Sequence, residues 1–221
     1  MKFAGIIFDF DGVLLESEHL GTIQLADYLT SLGHPTSPAD SMANFMGLNG
    51  TQFIDAIERW IGESLPDDFA ESRAADKQQA MAQGVDAVAG AVAFVRALPA
   101  DLPRAIASSS SKQWIRAHLD HLGLRDSFEP MIFSGVEDVE RGKPAPDVYC
   151  HAAAALGQDI GNMVILEDSP VGVKGAVASG AHVIGLCAGL HCAADHGDRL
   201  KALGVDAVAS DFDEVRCLLD I

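Results

Sequence analysis

The chain has 221 residues, 48% hydrophobic and 21% charged, an ordinary globular composition that buries roughly 70% of its unfolded surface without a disulfide or metal staple. Fifteen Lys and Arg against 32 Asp and Glu give a formal charge of −17, which excludes the basic stripe of a nucleic-acid binder and the cationic face of a protein docked on anionic lipid. Neither nucleic acid nor a membrane is expected as a partner, and an anionic substrate would need a local reversal of the field.

The first apolar run, residues 4–8, ends at Asp9. Met1-Lys2 leads straight into it, and the run is too short for a signal peptide or a membrane span. A cytoplasmic chain with reduced thiols, working as a monomer, is the expectation. From Leu20 to about Ala82 no strand-like run occurs. Leu25, Leu29 and Leu32, then Phe53, Ile57 and Trp60, recur at helical spacing. Gly33-His34-Pro35, Ser37-Pro38, Gly47 to Gly50 and Pro66 break this stretch. It is read as an all-helical insertion, a cap over residues 17–83, placed after the carboxyl end of the first strand. Apolar runs resume at 104–107, 131–133, 163–166 and 182–186, hydrophobic on both faces as in strands covered on both sides. Helical patterns alternate with them: Ile115, Leu119 and Leu122; Val148 to Leu156; Val171 to Ala178, with Ser169 as N-cap and Pro170 in the first turn; Phe212, Val215 and Leu219. The expected fold is α/β, a Rossmann-like parallel sheet in three layers formed by residues 1–16 and 84–221, interrupted by the helical cap.

Chemistry gathers at the carboxyl ends of these strands. Strand one ends Phe8-Asp9-Phe10-Asp11-Gly12-Val13. One carboxylate of such a pair can attack an electrophile while the other, its pKa raised by its neighbour, hands a proton to the leaving group. Taken alone, the pair reads equally well as a polar strand end with Asp9 capping the next helix. Strand two ends Ala107-Ser108-Ser109-Ser110-Ser111-Lys112. A hydroxyl there, followed by helix-opening N–H groups, is an anion cradle or a plain N-cap. Gly142-Lys143-Pro144-Ala145-Pro146-Asp147 holds a lysine on a stiff segment, a fixed cation for a phosphate and a carboxylate or else a solvated turn. Strand four ends Leu166-Glu167-Asp168-Ser169-Pro170. Four carboxylates converging on one sheet edge would repel without a cation, and hard oxygen donors select Mg²⁺.

The order acid pair, Ser, Lys, acid pair at successive strand ends resembles the haloacid dehalogenase-like superfamily of phosphohydrolases, whose four motifs match DFDGV, ASSS, GKPAPD and LEDSP across essentially the whole chain. The single helical insertion resembles the cap of the β-phosphoglucomutase and phosphoglycolate-phosphatase branch. The resemblance implies a small phosphate ester as substrate, with Asp9 as nucleophile and Asp11 as general acid and then base. It implies Ser108, the Ser109 N–H, Gly12 and Lys143 around the phosphoryl group. It also implies Mg²⁺ on Asp9, the Asp11 main-chain carbonyl and Asp168, with Glu167 as a direct or water-mediated ligand. Asp11 argues against true dehalogenation, because a halide leaving group needs no proton.

The mutases of that branch carry a histidine and a cap arginine where this chain has Gly21 and Gly50, and His19 lies two residues from the first of these on a different helical face. A phosphatase is therefore preferred to a phosphosugar mutase, with Ser17, Glu18 and Asn49 as candidate substrate contacts. Phe133-Ser134-Gly135 ahead of the lysine motif is similar to bacterial sugar-phosphate phosphatases. A non-catalytic receiver domain fits less well, since it needs neither an insertion nor Asp11. Cys187, His191, Cys192 and His196 lack the paired two-residue gaps of a structural zinc site and are read as a loop after strand five. Trp60 and Trp114 are read as helix core residues.

Overall fold

In the computed structural model, which describes residues 3–48 and 50–221, four consecutive apolar residues make β1 (Gly5–Phe8), buried along its whole length. Four helices follow, α1 (Ser17–Ser31), α2 (Pro38–Phe45), α3 (Gly50–Ile61) and α4 (Phe69–Gln83). Then come α5 (Ala91–Ala97), β2 (Arg104–Ser108), α6 (Lys112–Leu122), α7 (Arg125–Phe128), β3 (Ile132–Ser134) and α8 (Asp147–Ala155). The chain finishes with β4 (Met163–Glu167), α9 (Pro170–Ser179), β5 (His182–Leu186), α10 (His196–Ala202), β6 (Ala207–Ala209) and α11 (Phe212–Leu219). Two compact units result: Met1–Glu16 with Asp86–Ile221, and Ser17–Val85.

In the first unit all strand pairs are parallel, in the order β3-β2-β1-β4-β5-β6. The order reverses at β1, so β1 and β4 diverge from their crossover connections at the carboxyl edge, which is where open α/β sheets bind ligands. Alternate side chains of β1 serve the two faces. Ile7 packs with Val148, Tyr149, Ala152 and Ala176 of α8 and α9. Phe8 meets Phe128 edge-on at 5.5 Å and Phe94 at 6.2 Å, and Phe94 in turn lies 5.0 Å from Phe212. Each such fully buried apolar side chain contributes about 1.5–3 kcal/mol. The three layers match the expected fold. Ser169 caps α9, accepting from the Gly172 N–H at 3.0 Å with Pro170 in the first turn, and Ser111 caps α6.

One strand lies outside the sequence reading. β6 pairs with β5 through Ile184↔Ala207 to Leu186↔Ala209. It is three residues long, with two alanines and only Ala209 buried. An edge strand this short, two of whose three residues are alanine, carries no periodic signal.

The second unit is all-helical and has its own core of Leu25, Leu29, Phe45, Ile57, Ile61 and Phe69. Ser37 opens α2 with a capping box closed by Asp40. Trp60 corrects its expected place: it is 38% exposed, and its indole N–H donates to Thr36 Oγ1 at 2.9 Å while the ring packs edge-on against Phe45. Leu32 lies just past the end of α1 and is exposed. Among the described residues no helix is long and apolar enough to cross a membrane.

Candidate active site

Asp9 continues β1, its N–H donating to the Leu166 carbonyl at 2.9 Å, so its side chain leaves the sheet beside that of β4. Lys143 reaches it from the loop after β3. The Lys143 ammonium donates to Asp9 Oδ1 at 2.6 Å and to Glu167 Oε1 at 2.7 Å with 3% of its side chain exposed. The Tyr149 hydroxyl, from α8, donates to the same Glu167 Oε1 at 2.7 Å. The Ser169 N–H and hydroxyl take Glu167 Oε2 at 2.9 and 3.1 Å. Glu167 is 0% exposed, and both its oxygens are already engaged. It thus stands behind Lys143 as the group that orients the ammonium, and a metal bond through it would break one of these contacts. Gly172 is required beside it, because a Cβ there would overlap the Glu167 carboxylate.

Burial pushes the Asp9 carboxyl well above the ordinary range; Lys143 pulls it back, and the charges of Glu167 and Asp168 push it up further. Burial would lower Lys143, but Asp9 and Glu167 more than offset it and hold the ammonium charged. Tyr149 is driven up by burial and then by Glu167 and Asp9, so it stays a hydroxyl and donates.

Asp9, Glu167 and Asp168 each offer an oxygen within 4.8 Å of the others, and all three are buried. With every group ionised, one ammonium among three carboxylates leaves two negative charges in excess in a desolvated place. Hard oxygen donors with that imbalance fit a divalent cation of the Mg²⁺ type. The cluster holds the three carboxylates of the sequence expectation, Asp9, Asp168 and Glu167, and the Asp11 side chain, expected there only through its main-chain carbonyl, lies outside it.

The Asp11 side chain points into a separate set of donors. Ser110 Oγ donates to its Oδ2 at 2.6 Å, Trp114 Nε1 donates to its Oδ1 at 3.0 Å, and the Ser108 hydroxyl lies 3.4 Å from Oδ2. Ser108 is buried at the end of β2 and accepts the Ser110 N–H at 3.0 Å, whereas Ser109 is exposed. Trp114 is buried as expected of a core residue, but its indole N–H also holds the second acid. The sequence assigns a site role to neither Ser110 nor Trp114. The available signal was that a buried indole needs an acceptor.

The loop after β5 closes over the same edge. His191 Nε2 lies 2.8 Å from Asp168 Oδ2, with both side chains buried, and His196 Nε2 donates to the Asp168 main-chain carbonyl at 2.6 Å. The Leu190 N–H is bound by the buried Glu16 carboxylate at 3.1–3.2 Å. Gly12, at φ +79°, has no room for a Cβ, which would overlap the Asp168 carboxylate and meet the His191 ring. Its side-chain-free position lets β4 and the β5 loop approach the first acid pair.

Residues 6–186 match the family described as haloacid dehalogenase-like hydrolase. The chain belongs to the haloacid dehalogenase-like hydrolases. It is 34% identical over 187 residues to hexitol phosphatase A of Escherichia coli (strain K12), covering 83% of each chain. It is 26% identical to 6-phosphogluconate phosphatase of the same organism, covering 86% of this chain and 85% of that one. A crystal structure of a haloacid dehalogenase family hydrolase from Deinococcus radiodurans R1, with bound phosphate and sodium, superposes with a TM-score of 0.88 at 31% identity, covering 99% of this chain and 95% of that one.

In this hydrolase the remaining sequence candidates sit in the helical unit. Ser17 and Glu18 open α1. Glu18 lines a cavity of about 170 Å³ together with Gly21, Thr22, Ser41, Phe45 and Arg73. A Cβ on Gly21 would have Arg73 Nη2 as its nearest neighbour at 3.9 Å, and Gly50 starts α3 at φ +53° with open space around it. Asn49 lies outside the described residues.

Proposed function

We propose that the protein is a Mg²⁺-dependent phosphomonoesterase that removes the phosphoryl group from a small sugar phosphate through an aspartyl-phosphate. The observation that carries this reading is the buried Lys143 ammonium shared between Asp9 and Glu167, with a second, separately held carboxylate at Asp11. Phosphoryl transfer needs little beyond positioning and charge stabilisation, and these residues supply both. An Asp9 oxygen attacks phosphorus as the ester bond to the sugar oxygen breaks, and Asp11 delivers its proton to that leaving oxygen. Asp11, now a carboxylate, takes a proton from water, which attacks the phosphorus of the acyl phosphate and releases inorganic phosphate with Asp9 restored. Lys143 neutralises charge on the phosphoryl oxygens throughout, while the Ser108 hydroxyl, the Ser109 N–H and the main chain at Gly12 bind them. Asp9 and Asp168, with the Asp11 main-chain carbonyl, would hold Mg²⁺, which when bound adds positive charge beside the phosphoryl group.

The names of the two Escherichia coli relatives support a polyhydroxylated substrate of about six carbons. The helical unit Ser17–Val85 is read as the substrate-selecting cap, with Ser17, Glu18 and Asn49 as its candidate contacts. Gly21 and Gly50 offer no side chain for a second phosphate, which favours hydrolysis over transfer within a sugar bisphosphate. A cytoplasmic monomer with a small-molecule substrate completes the reading.

Phosphate release from a panel of hexitol, hexose and sugar-acid phosphates, with Mg²⁺ and then with chelator, tests it. Release is expected only with the metal, and release that persists in chelator would sink the metal assignment. Because burial raises the Asp9 carboxyl, a proton competes with the cation there. The Mg²⁺ concentration for half-maximal rate is therefore expected to rise as the pH falls.

Trp114→Phe removes one donor from Asp11 and keeps the aromatic packing. A hydrogen bond contributes about 0.5–1.5 kcal/mol net, so loss of this one is expected to lower kcat about threefold to tenfold with KM little changed. Steady-state kinetics decide it, and an unchanged kcat would show that Trp114 does not hold the acid in its working position.

A further inference from the structure

We propose that His191, Cys192 and His196, with Cys187 as fourth donor, form a binding site for a soft divalent cation of the Zn²⁺ class. One ligand atom from each of His191, Cys192 and His196 lies within 4.8 Å of the other two. His191 Nε2 and Cys192 Sγ are 3.5 Å apart. A tetrahedral ion with a metal–sulfur bond of about 2.3 Å and a metal–nitrogen bond of about 2.05 Å spans an S···N edge of about 3.6 Å, so this pair already stands at ligand spacing.

The second imidazole is held as ligating imidazoles are. A main-chain carbonyl only accepts, so the 2.6 Å contact of His196 Nε2 with Asp168 O places the hydrogen on Nε2 and leaves the Nδ1 lone pair for a metal. Cys187 directly follows β5, and Cys187 and Cys192 both line a cavity of about 510 Å³ that gives an ion a way in. The backbone presenting these groups is tied at several points. Cys187 N–H donates to Ala209 O at 2.8 Å, Cys192 N–H to Gly189 O at 3.0 Å, and Leu190 N–H to Glu16.

Donor chemistry separates this site from the carboxylates next to it. Thiolate and imidazole select Zn²⁺-like ions, while Asp9 and Asp168 offer only oxygen, which suits Mg²⁺. Sequence spacing concealed the site because the fourth donor comes from the end of a strand and not from a two-residue gap. Loading exchanges the His191 Nε2–Asp168 Oδ2 hydrogen bond for a metal bond, the imidazole hydrogen passing to Nδ1, and releases the proton of each thiol that binds.

The test uses Co²⁺ as the spectroscopic probe, titrated into the full chain under reducing conditions with Mg²⁺ in excess to occupy the carboxylates. One equivalent is expected to bind with a thiolate-to-cobalt charge-transfer band and the intense visible absorption of a tetrahedral site, and Zn²⁺ is expected to bleach both. Cys192→Ser is expected to lose the charge-transfer band and bind about tenfold or more weakly, while Cys150→Ser, at an exposed thiol elsewhere, keeps the wild-type spectrum. Far-UV circular dichroism on both variants separates loss of a ligand from loss of fold. Absence of the thiolate band in the wild-type chain at stoichiometric Co²⁺, or a band that survives Cys192→Ser, overturns the proposal. Neither readout uses turnover, so the result stands whatever the phosphatase assays return.

Discussion

Asp9→Asn is expected to abolish phosphate release, by about 10⁴-fold or more, as for other enzymes that lose their nucleophile. The amide keeps the shape of the side chain and its place at the end of β1 but cannot form the acyl phosphate. The fold is expected to survive, and the sign of the effect follows from burial. Asp9 in the folded chain has a carboxyl raised above its ordinary value of 3.8, so the folded state holds more protons there than the unfolded one. Without metal its contribution is full below the ordinary value and is lost as the pH rises towards the raised value. An uncharged amide does not titrate and escapes that loss. At neutral pH in chelator the thermal midpoint of Asp9→Asn is therefore expected to match or exceed that of the wild type, and added Mg²⁺ to raise it less. Phosphate release within a hundredfold of wild type would remove Asp9 from the chemistry.

Lys143→Met is expected to lower kcat about 10²–10³-fold, the usual penalty for losing one preorganised donor at a developing charge. This second substitution also reaches the fold. Lys143 holds Asp9 and Glu167 together at 2.6 and 2.7 Å. Removing the cation leaves two buried carboxylates facing one another, with Tyr149 and Ser169 alone donating to Glu167. Breaking a buried ion pair by deleting one partner costs about 3–5 kcal/mol, and here uptake of a proton by Asp9 limits the loss. A lower thermal midpoint is expected, recovered in part at acid pH as Asp9 takes up that proton, whereas wild type gains less from the same change. Lys143→Arg is not expected to restore activity, because a planar guanidinium does not fit a pocket shaped for a compact ammonium. Steady-state kinetics and thermal denaturation at two pH values check both parts, and a kcat within tenfold of wild type would remove Lys143 from the phosphoryl site.

The acid pair after β1, the lysine on its Pro-x-Pro segment and the acid pair after β4 were legible because each is announced locally. A short apolar run ends, and a charged residue stands at the break. Parallel strands covered on both faces leave only that edge for chemistry, so chain position alone brought Asp9, Ser108, Lys143 and Glu167-Asp168 to one edge. β6 leaves no signal in the sequence because three short side chains at a sheet margin bury too little apolar surface to imprint a pattern. Trp60 stands half out of its core, which its spacing does not foretell, because helical spacing says which face a residue is on and not how much of an indole that face covers.

What the sequence by itself determined about this protein is the layered α/β core and the family its four motifs announce, both of them properties of neighbouring residues and of strand order. Only the tertiary structure decided the partners. Trp114 meets Asp11 across 103 residues, Lys143 meets Asp9 across 134, and the segment after β5 delivers His191 to Asp168 and gathers the Cys192 thiol with two imidazoles. Glu167 illustrates the difference best. Its charge and place were readable, but its task behind Lys143 was set by donors on α8, on the lysine loop and at the start of α9. A buried carboxylate acts according to which donors surround it, and that environment exists only once distant segments have packed.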